Sequence, residues 1–217
     1  MKAILLDLDG TLINSEKAFS RCFVDVLNNK YSCNVTLADY KKYELENNAL
    51  LIDYCKKSGM ISNNISDNDI MSIVYDRYED YFREIIKEDE AKSNFSLLRE
   101  LKKDYLLGLI TTCRRYYLDI LDREEKIYEL FDIVIAREDV KALKPNPEAY
   151  LKAFEVLGID SSEAISLEDS KRGVDSSVLC GIKTIKLDNF TEIKYDDSRT
   201  IQEESANKVL KKIASYK

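Results

Sequence analysis

The sequence predicts an α/β fold: an open parallel sheet wound on both sides by helices, with a helical segment inserted after the first strand. Three observations carry this. Ala3–Leu8 is a short apolar run of the length of a buried strand. Residues 15–90 then show apolar positions at helical spacing and no convincing strand. From there to the end, short apolar runs alternate with amphipathic stretches, the texture of repeated strand–helix units.

The elements follow in order. The first strand ends at Asp9-Gly10-Thr11. In the insert, Phe19, Phe23, Val26 and Leu27, then Leu45, Ala49 and Ile52, then Ile70, Ile73, Val74 and Tyr78, mark three or four helices. The polar stretch Ser62–Asn68 separates two of them. Phe95–Lys103 reads as a helix, Tyr105–Thr111 as a strand, Arg115–Leu121 as a helix and Phe131–Ala136 as a strand. Pro147–Leu157 is a helix entered through Asn146 as N-cap and stopped by Gly158. Ala164–Leu167 is a strand, Ser170–Cys180 a helix stopped by Gly181, and Ile182–Leu187 a strand. Glu203–Ile213 reads as a last helix.

Composition narrows the chemistry. The chain has 217 residues, enough for a hydrophobic core without disulfide staples. It contains no histidine, which excludes Ser-His-Asp triads, Cys-His pairs and His-based zinc sites. Acid–base work then falls to carboxylates, Lys, Tyr or Cys. The net charge of −7 is the wrong sign for a nucleic-acid binder or a basic membrane-surface protein. Cys22, Cys33, Cys55, Cys113 and Cys180 are odd in number and lack CxxC spacing, so free buried thiols in a reducing compartment are expected. No run approaches the ~18 apolar residues of a membrane span, and a cytoplasmic protein is the expectation.

Ligands of such sheets gather beyond the carboxyl ends of the strands, and four polar clusters fall there. Asp7 and Asp9 start on one side of a regular strand; two close, partly buried carboxylates repel unless a proton or a hard cation such as Mg²⁺ lies between them. An exposed Asp-Gly turn would also account for them. Thr111 ends the next strand, where its hydroxyl and the following backbone N–H groups could meet a phosphate, although Thr is an ordinary strand residue. Lys144 stands in a turn with the chain's only prolines, Pro145 and Pro147. It is either a solvated helix-start lysine or one held to neutralise an anion. Glu168-Asp169-Ser170 follows the Ala164–Leu167 strand, and suits either a helix N-terminus or a second pair of metal-facing oxygens.

Asp7-x-Asp9-Gly10-Thr11-Leu12, Thr111, Lys144-Pro145 and Glu168-Asp169-Ser170-x-x-Gly173 together resemble the four motifs of the haloacid dehalogenase (HAD) superfamily. The order and spacing fit across nearly the whole chain. The resemblance implies a Rossmann-like core of residues 1–14 and 91–217, and a small helical cap of residues 15–90, near the phosphoglycolate phosphatase and β-phosphoglucomutase group. It implies a Mg²⁺-dependent phosphomonoesterase acting on a small phosphorylated metabolite. Asp7 would be the nucleophile that becomes an aspartyl phosphate, and Asp9 the general acid and base. Thr111, Thr112 and Lys144 would bind the phosphoryl group. Asp7, the backbone carbonyl of Asp9, Asp169 and Glu168, directly or through water, would hold the metal.

Departures refine this reading. The second acid, Asp9, disfavours dehalogenation. β-Phosphoglucomutases keep a histidine shortly after the first motif, where this chain has Phe19, so a sugar-phosphate phosphomutase or phosphotransferase is the second choice. Thr112 stands where many relatives have Asn. Arg114 and Arg115 could reach an anionic substrate or serve as solvated surface residues. A phospho-accepting, receiver-like switch is the alternative of another class, opposed by the helical insert and the Asp7-x-Asp9 spacing. Neither a monomer nor a homodimer is indicated.

Overall fold

The computed structural model describes residues 1–44, 48–188 and 200–215. The chain folds into two compact units, Met1–Asn14 with Ile86–Lys217, and Ser15–Ile85.

The first unit holds a six-stranded sheet of order β3-β2-β1-β4-β5-β6, every neighbouring pair parallel. The strands are β1 (Ala3–Leu6), β2 (Leu106–Ile110), β3 (Ile133–Ile135), β4 (Ala164–Glu168), β5 (Lys183–Leu187) and β6 (Thr200–Glu203). Helices α5 (Asp89–Leu101), α6 (Arg115–Glu125), α7 (Ile127–Leu130), α8 (Glu148–Leu157), α9 (Lys171–Leu179) and α10 (Ala206–Ser215) surround it. Adjacent β1 positions, Ala3 to Leu6, are all wholly buried, so both faces of the central strand are covered, as a doubly wound sheet requires. On one face Ala3, Leu5, Ile110 and Ala164 pack with Ala149, Tyr150 and Ala153 of α8.

The second unit is helical, with α1 (Ser15–Tyr31), α2 (Leu37–Glu44), α3 (Asn48–Lys57) and α4 (Asp67–Ile85). α1 and α4 bury one apolar stripe each, Phe23, Val26 and Leu27 on α1, and Ile70, Val74 and Phe82 on α4. Tyr40 and Tyr78 are buried, edge-on to Phe23 and Phe82, whereas Tyr54 and Tyr75 are exposed. Leu45 and the side chain of Ala49 lie outside the described residues.

The sequence pattern locates the strands and helices of the sheet with differences at their ends. The first strand stops at Leu6, two residues early, because the chain turns: the N–H groups of Thr11, Leu12 and Ile13 all donate to the Leu8 carbonyl. α8 begins at Glu148 rather than Pro147, and Asn146 Oδ1 accepts from the Glu148 N–H (3.0 Å), an Asx-type turn in place of the expected N-cap. The expected stops hold: Gly158 and Gly181 take φ of +63° and +79°. The last helix starts at Ala206, since Glu203 belongs to β6, a short strand with no apolar run to announce it. α7 has no sequence signal either; it is a single turn entered through Lys126 in the left-handed region. Of the cysteines, Cys22, Cys33 and Cys55 are buried and Cys113 and Cys180 are half-buried; all five are free. No helix among the described residues is long and apolar enough to cross a membrane.

Candidate active site

Four chain segments meet at the carboxyl edge of the sheet: the ends of β1, β2 and β4 and the loop between β3 and α8. Parallel pairing in register, Leu6 beside both Leu109 and Leu167, brings Asp7, Ile110–Thr111 and Glu168 to the same height.

Lys144 is the hub. It is buried, and its Nζ donates to Asp7 Oδ1 (2.7 Å), Glu168 Oε1 (2.6 Å) and the Ile110 carbonyl (2.8 Å). Those three acceptors match the three donors of an ammonium group. The turn that aims Lys144 carries a cis Lys144–Pro145 bond, and Arg172 of α9 donates to the Lys144 carbonyl (Nε 2.9 Å). Burial works against the charge on Lys144, but the carboxylates of Asp7 and Glu168 outweigh it and hold the ammonium above its ordinary pKa. Lys144 is therefore a fixed internal cation, and the solvated helix-start reading does not hold.

Asp7, Glu168 and Asp169 bring one carboxylate oxygen each within 4.8 Å of one another. Burial, then the neighbouring carboxylates, raise the Asp169 carboxyl; burial raises Glu168 against the pull of Lys144. Glu168 is wholly buried, and its Oε2 has no hydrogen-bond partner. Three crowded carboxylates offer hard oxygen donors with only one ammonium to balance them, a set that fits a hard divalent cation. The backbone is cleared for these groups. A Cβ on Gly10 would lie 2.0 Å from Asp169 Oδ2, and one on Gly173 1.8 Å from Glu168 Oε2. Gly10 also takes φ of +77°.

The side chain of Asp9 stands apart from that trio. Thr111 donates to Asp9 Oδ2 at 3.5 Å, while the Cys113 N–H donates to Thr111 Oγ1 (3.0 Å). Thr11 reaches Asp169 Oδ1 at 3.5 Å. The structure thus joins Asp7, Lys144, Glu168 and Asp169 directly, and Asp9 with Thr111. Thr112 is half-buried beside Thr111 and, among the described residues, takes no part in this network. The Arg115 guanidinium pairs with Asp139 and lies 6.0 Å from the Tyr128 ring.

Sequence reasoning missed Tyr150. Its ring belongs to the core beneath the site, and its hydroxyl donates to Glu168 Oε1. Tyr150 lies six residues after Lys144, within α8, where an aromatic at a core position gives no sign of a polar duty.

Comparison with known proteins shows a family and a shared fold. The family model described as haloacid dehalogenase-like hydrolase matches residues 4–187. The pyrophosphatase PpaX of Bacillus cereus (strain G9842) is 30% identical over 188 residues, 85% of this chain and 82% of that protein. A β-phosphoglucomutase candidate from Thermotoga maritima superposes with a TM-score of 0.79 at 20% identity, covering 99% of each chain. A HAD family hydrolase from Deinococcus radiodurans, with bound phosphate and sodium, gives a TM-score of 0.74 at 19% identity, covering all of this chain and 96% of that one.

Proposed function

This chain belongs to the haloacid dehalogenase-like hydrolase family, and on that premise we propose that it is a Mg²⁺-dependent phosphomonoesterase acting on a small phosphorylated metabolite. The observation that carries the proposal is the coupling of Asp7 to Lys144 on one side and to the Glu168–Asp169 pair on the other.

In this reading the Asp7 carboxylate attacks phosphorus. A P–O bond to Asp7 forms, and the bond to the leaving alkoxide breaks. Asp9 gives its proton to that alkoxide, then takes one from the water that attacks the aspartyl phosphate, releasing phosphate and restoring Asp7. Lys144 neutralises charge on the transferring group, and the Thr111 hydroxyl, turned to Asp9 here, is a donor for one of its oxygens. Asp7, Glu168, Asp169 and the Asp9 backbone carbonyl are the groups to hold Mg²⁺, which supplies neutralisation of phosphoryl oxygens when bound. Thr112 offers a further hydroxyl at the same strand end. The helical unit Ser15–Ile85 is the proposed cap that selects the substrate.

Two findings bear on alternatives. Phe19, at the place of the mutase histidine, packs edge-on against Tyr78 (5.4 Å) and beside Phe23, an apolar setting with no proton to exchange. That favours hydrolysis over sugar-phosphate mutation. The PpaX relatives are named pyrophosphatases, so inorganic pyrophosphate belongs beside the monoesters as a substrate.

The test is phosphate release across a panel of phosphomonoesters, pyrophosphate and hexose 1-phosphate, with and without Mg²⁺. Release should require Mg²⁺ and fall by about 10³-fold or more in Asp7→Asn. Wild-type rates in Asp7→Asn would overturn the nucleophile assignment. Conversion of hexose 1-phosphate to 6-phosphate without phosphate release would overturn the hydrolase reading.

A further inference from the structure

We propose that Tyr150 is a positioning residue for the cation site: with Lys144 it holds Glu168 Oε1 and so reserves Oε2 for the cation. The proposal deepens the phosphatase reading and rests on its cation site.

Glu168 is wholly buried, so every lone pair on its carboxylate needs a protein partner or a bound ion. Its two oxygens are treated oppositely. Oε1 accepts from Lys144 Nζ (2.6 Å) and from the Tyr150 hydroxyl. Two donors on one oxygen fix the plane of the carboxylate, because a flip about its last torsion would have to break both bonds. Oε2 is buried and accepts from nothing. Leaving a buried acceptor unpaired is costly, the more so for a charged group. The fold gives that oxygen its place through Gly173, since a Cβ there would lie 1.8 Å from it. One oxygen of this carboxylate is saturated and the other bare, and the group lies in a cluster whose Asp7 and Asp169 oxygens are within 4.8 Å of one of its own, so the bare oxygen is the one left to take an ion.

Lys144 alone does not suffice for this. Its ammonium is shared among Asp7, the Ile110 carbonyl and Glu168, and in turnover it is also the cation that meets the phosphoryl group. Tyr150 has no such second duty. It is wholly buried, its ring is fixed among Ala149, Ala153 and the sheet, and Lys144 Nζ lies 5.5 Å from its centroid. Its hydroxyl keeps Oε1 occupied whatever Lys144 does. Such outer partners orient metal ligands and account for about 10–100-fold in metal affinity.

The experiment is Mg²⁺ binding measured by calorimetry on the whole chain without substrate. It compares wild type, Tyr150→Phe, Tyr150→Met and Glu168→Gln, with unfolding midpoints taken in chelator. Phe keeps the buried ring and removes only the hydroxyl; Met is the second apolar replacement, should the ring prove tightly constrained. Both Tyr150 variants should bind Mg²⁺ about 10–100-fold more weakly than wild type. In turnover the Tyr150→Phe defect should lie in the Mg²⁺ concentration for half-maximal rate and be recovered by added Mg²⁺. Tyr150→Phe with wild-type affinity, while Glu168→Gln loses binding, overturns the role of Tyr150 and leaves the cation site standing. Wild-type affinity in Glu168→Gln overturns the cation site itself, and this proposal with it.

Discussion

At the scale of single residues, the proposed roles divide the carboxylates into two sets. Asp7, Glu168 and Asp169 crowd together, while the Asp9 side chain stands apart with Thr111. A base that must take and return a proton is better placed outside a cluster of ion-binding groups. Asp9→Asn should therefore slow turnover by about 10²–10⁴-fold, measured as steady-state phosphate release, with Mg²⁺ affinity by calorimetry retained. Loss of Mg²⁺ binding in the same variant would place its side chain among the ligands instead. Gly10→Ala should be severe for two independent reasons: its φ of +77° strains any L side chain, and the added Cβ would meet Asp169 Oδ2 at 2.0 Å. The expected result is weakened Mg²⁺ binding together with a lowered unfolding midpoint. Most of these residues were legible in the sequence, because carboxylates, a proline-braced lysine and Gly10 announce themselves by type and spacing. Tyr150 was not. Its role depends on which oxygen of Glu168 it meets, and no linear pattern records that.

At the scale of elements, the sheet was easier to read than its margins. β1 and β2 are buried apolar runs, and burial on both faces is what makes such runs visible. β6 escaped because Thr200–Glu203 is a short edge strand whose middle residues, Ile201 and Gln202, are exposed. α10 buries Ala206, Val209 and Leu210, and polar side chains join it as well to the turn at the site end of the sheet. Asn207 Nδ2 donates to Asn94 Oδ1 (3.0 Å) and Ser93 Oγ (2.8 Å), and buried Asn94 donates in turn to the Leu12 carbonyl (3.0 Å). This chain of bonds ties α10 through α5 to the turn that follows Asp9. Asn94→Ala should cost about 1–3 kcal/mol in denaturant unfolding, since it leaves a buried carbonyl unpaired. Asn207→Ala, closer to the surface, should cost less. Equal and negligible effects would show that the turn is held by its own backbone bonds to Leu8.

At the scale of the whole molecule, ion binding and folding are one equilibrium. The proposed cation meets residues from both ends of the first unit, Asp7 and Asp169, and no unfolded chain keeps these together. Mg²⁺ at about 100 times its Kd should stabilise the chain by about 2.7 kcal/mol, seen as a rise in unfolding midpoint. Asp169→Asn should remove that rise, and an undiminished rise would mean that the ion binds elsewhere. The same long reach has a consequence in time. β1 is the central strand, with Ala3 beside Leu106 on one flank and Ala164 on the other. A ribosome thus makes Asp7 well before Lys144, Glu168 and Asp169. At roughly 5–20 residues per second, the 169 − 7 = 162 residues from Asp7 to Asp169 take about 8–32 s to emerge. Until Leu106–Ile110 is made the nascent chain carries an apolar strand with neither neighbour in place, and until Ala164–Glu168 is made it has only one. Until both neighbours are made, that strand is exposed apolar surface of the kind that chaperones cover.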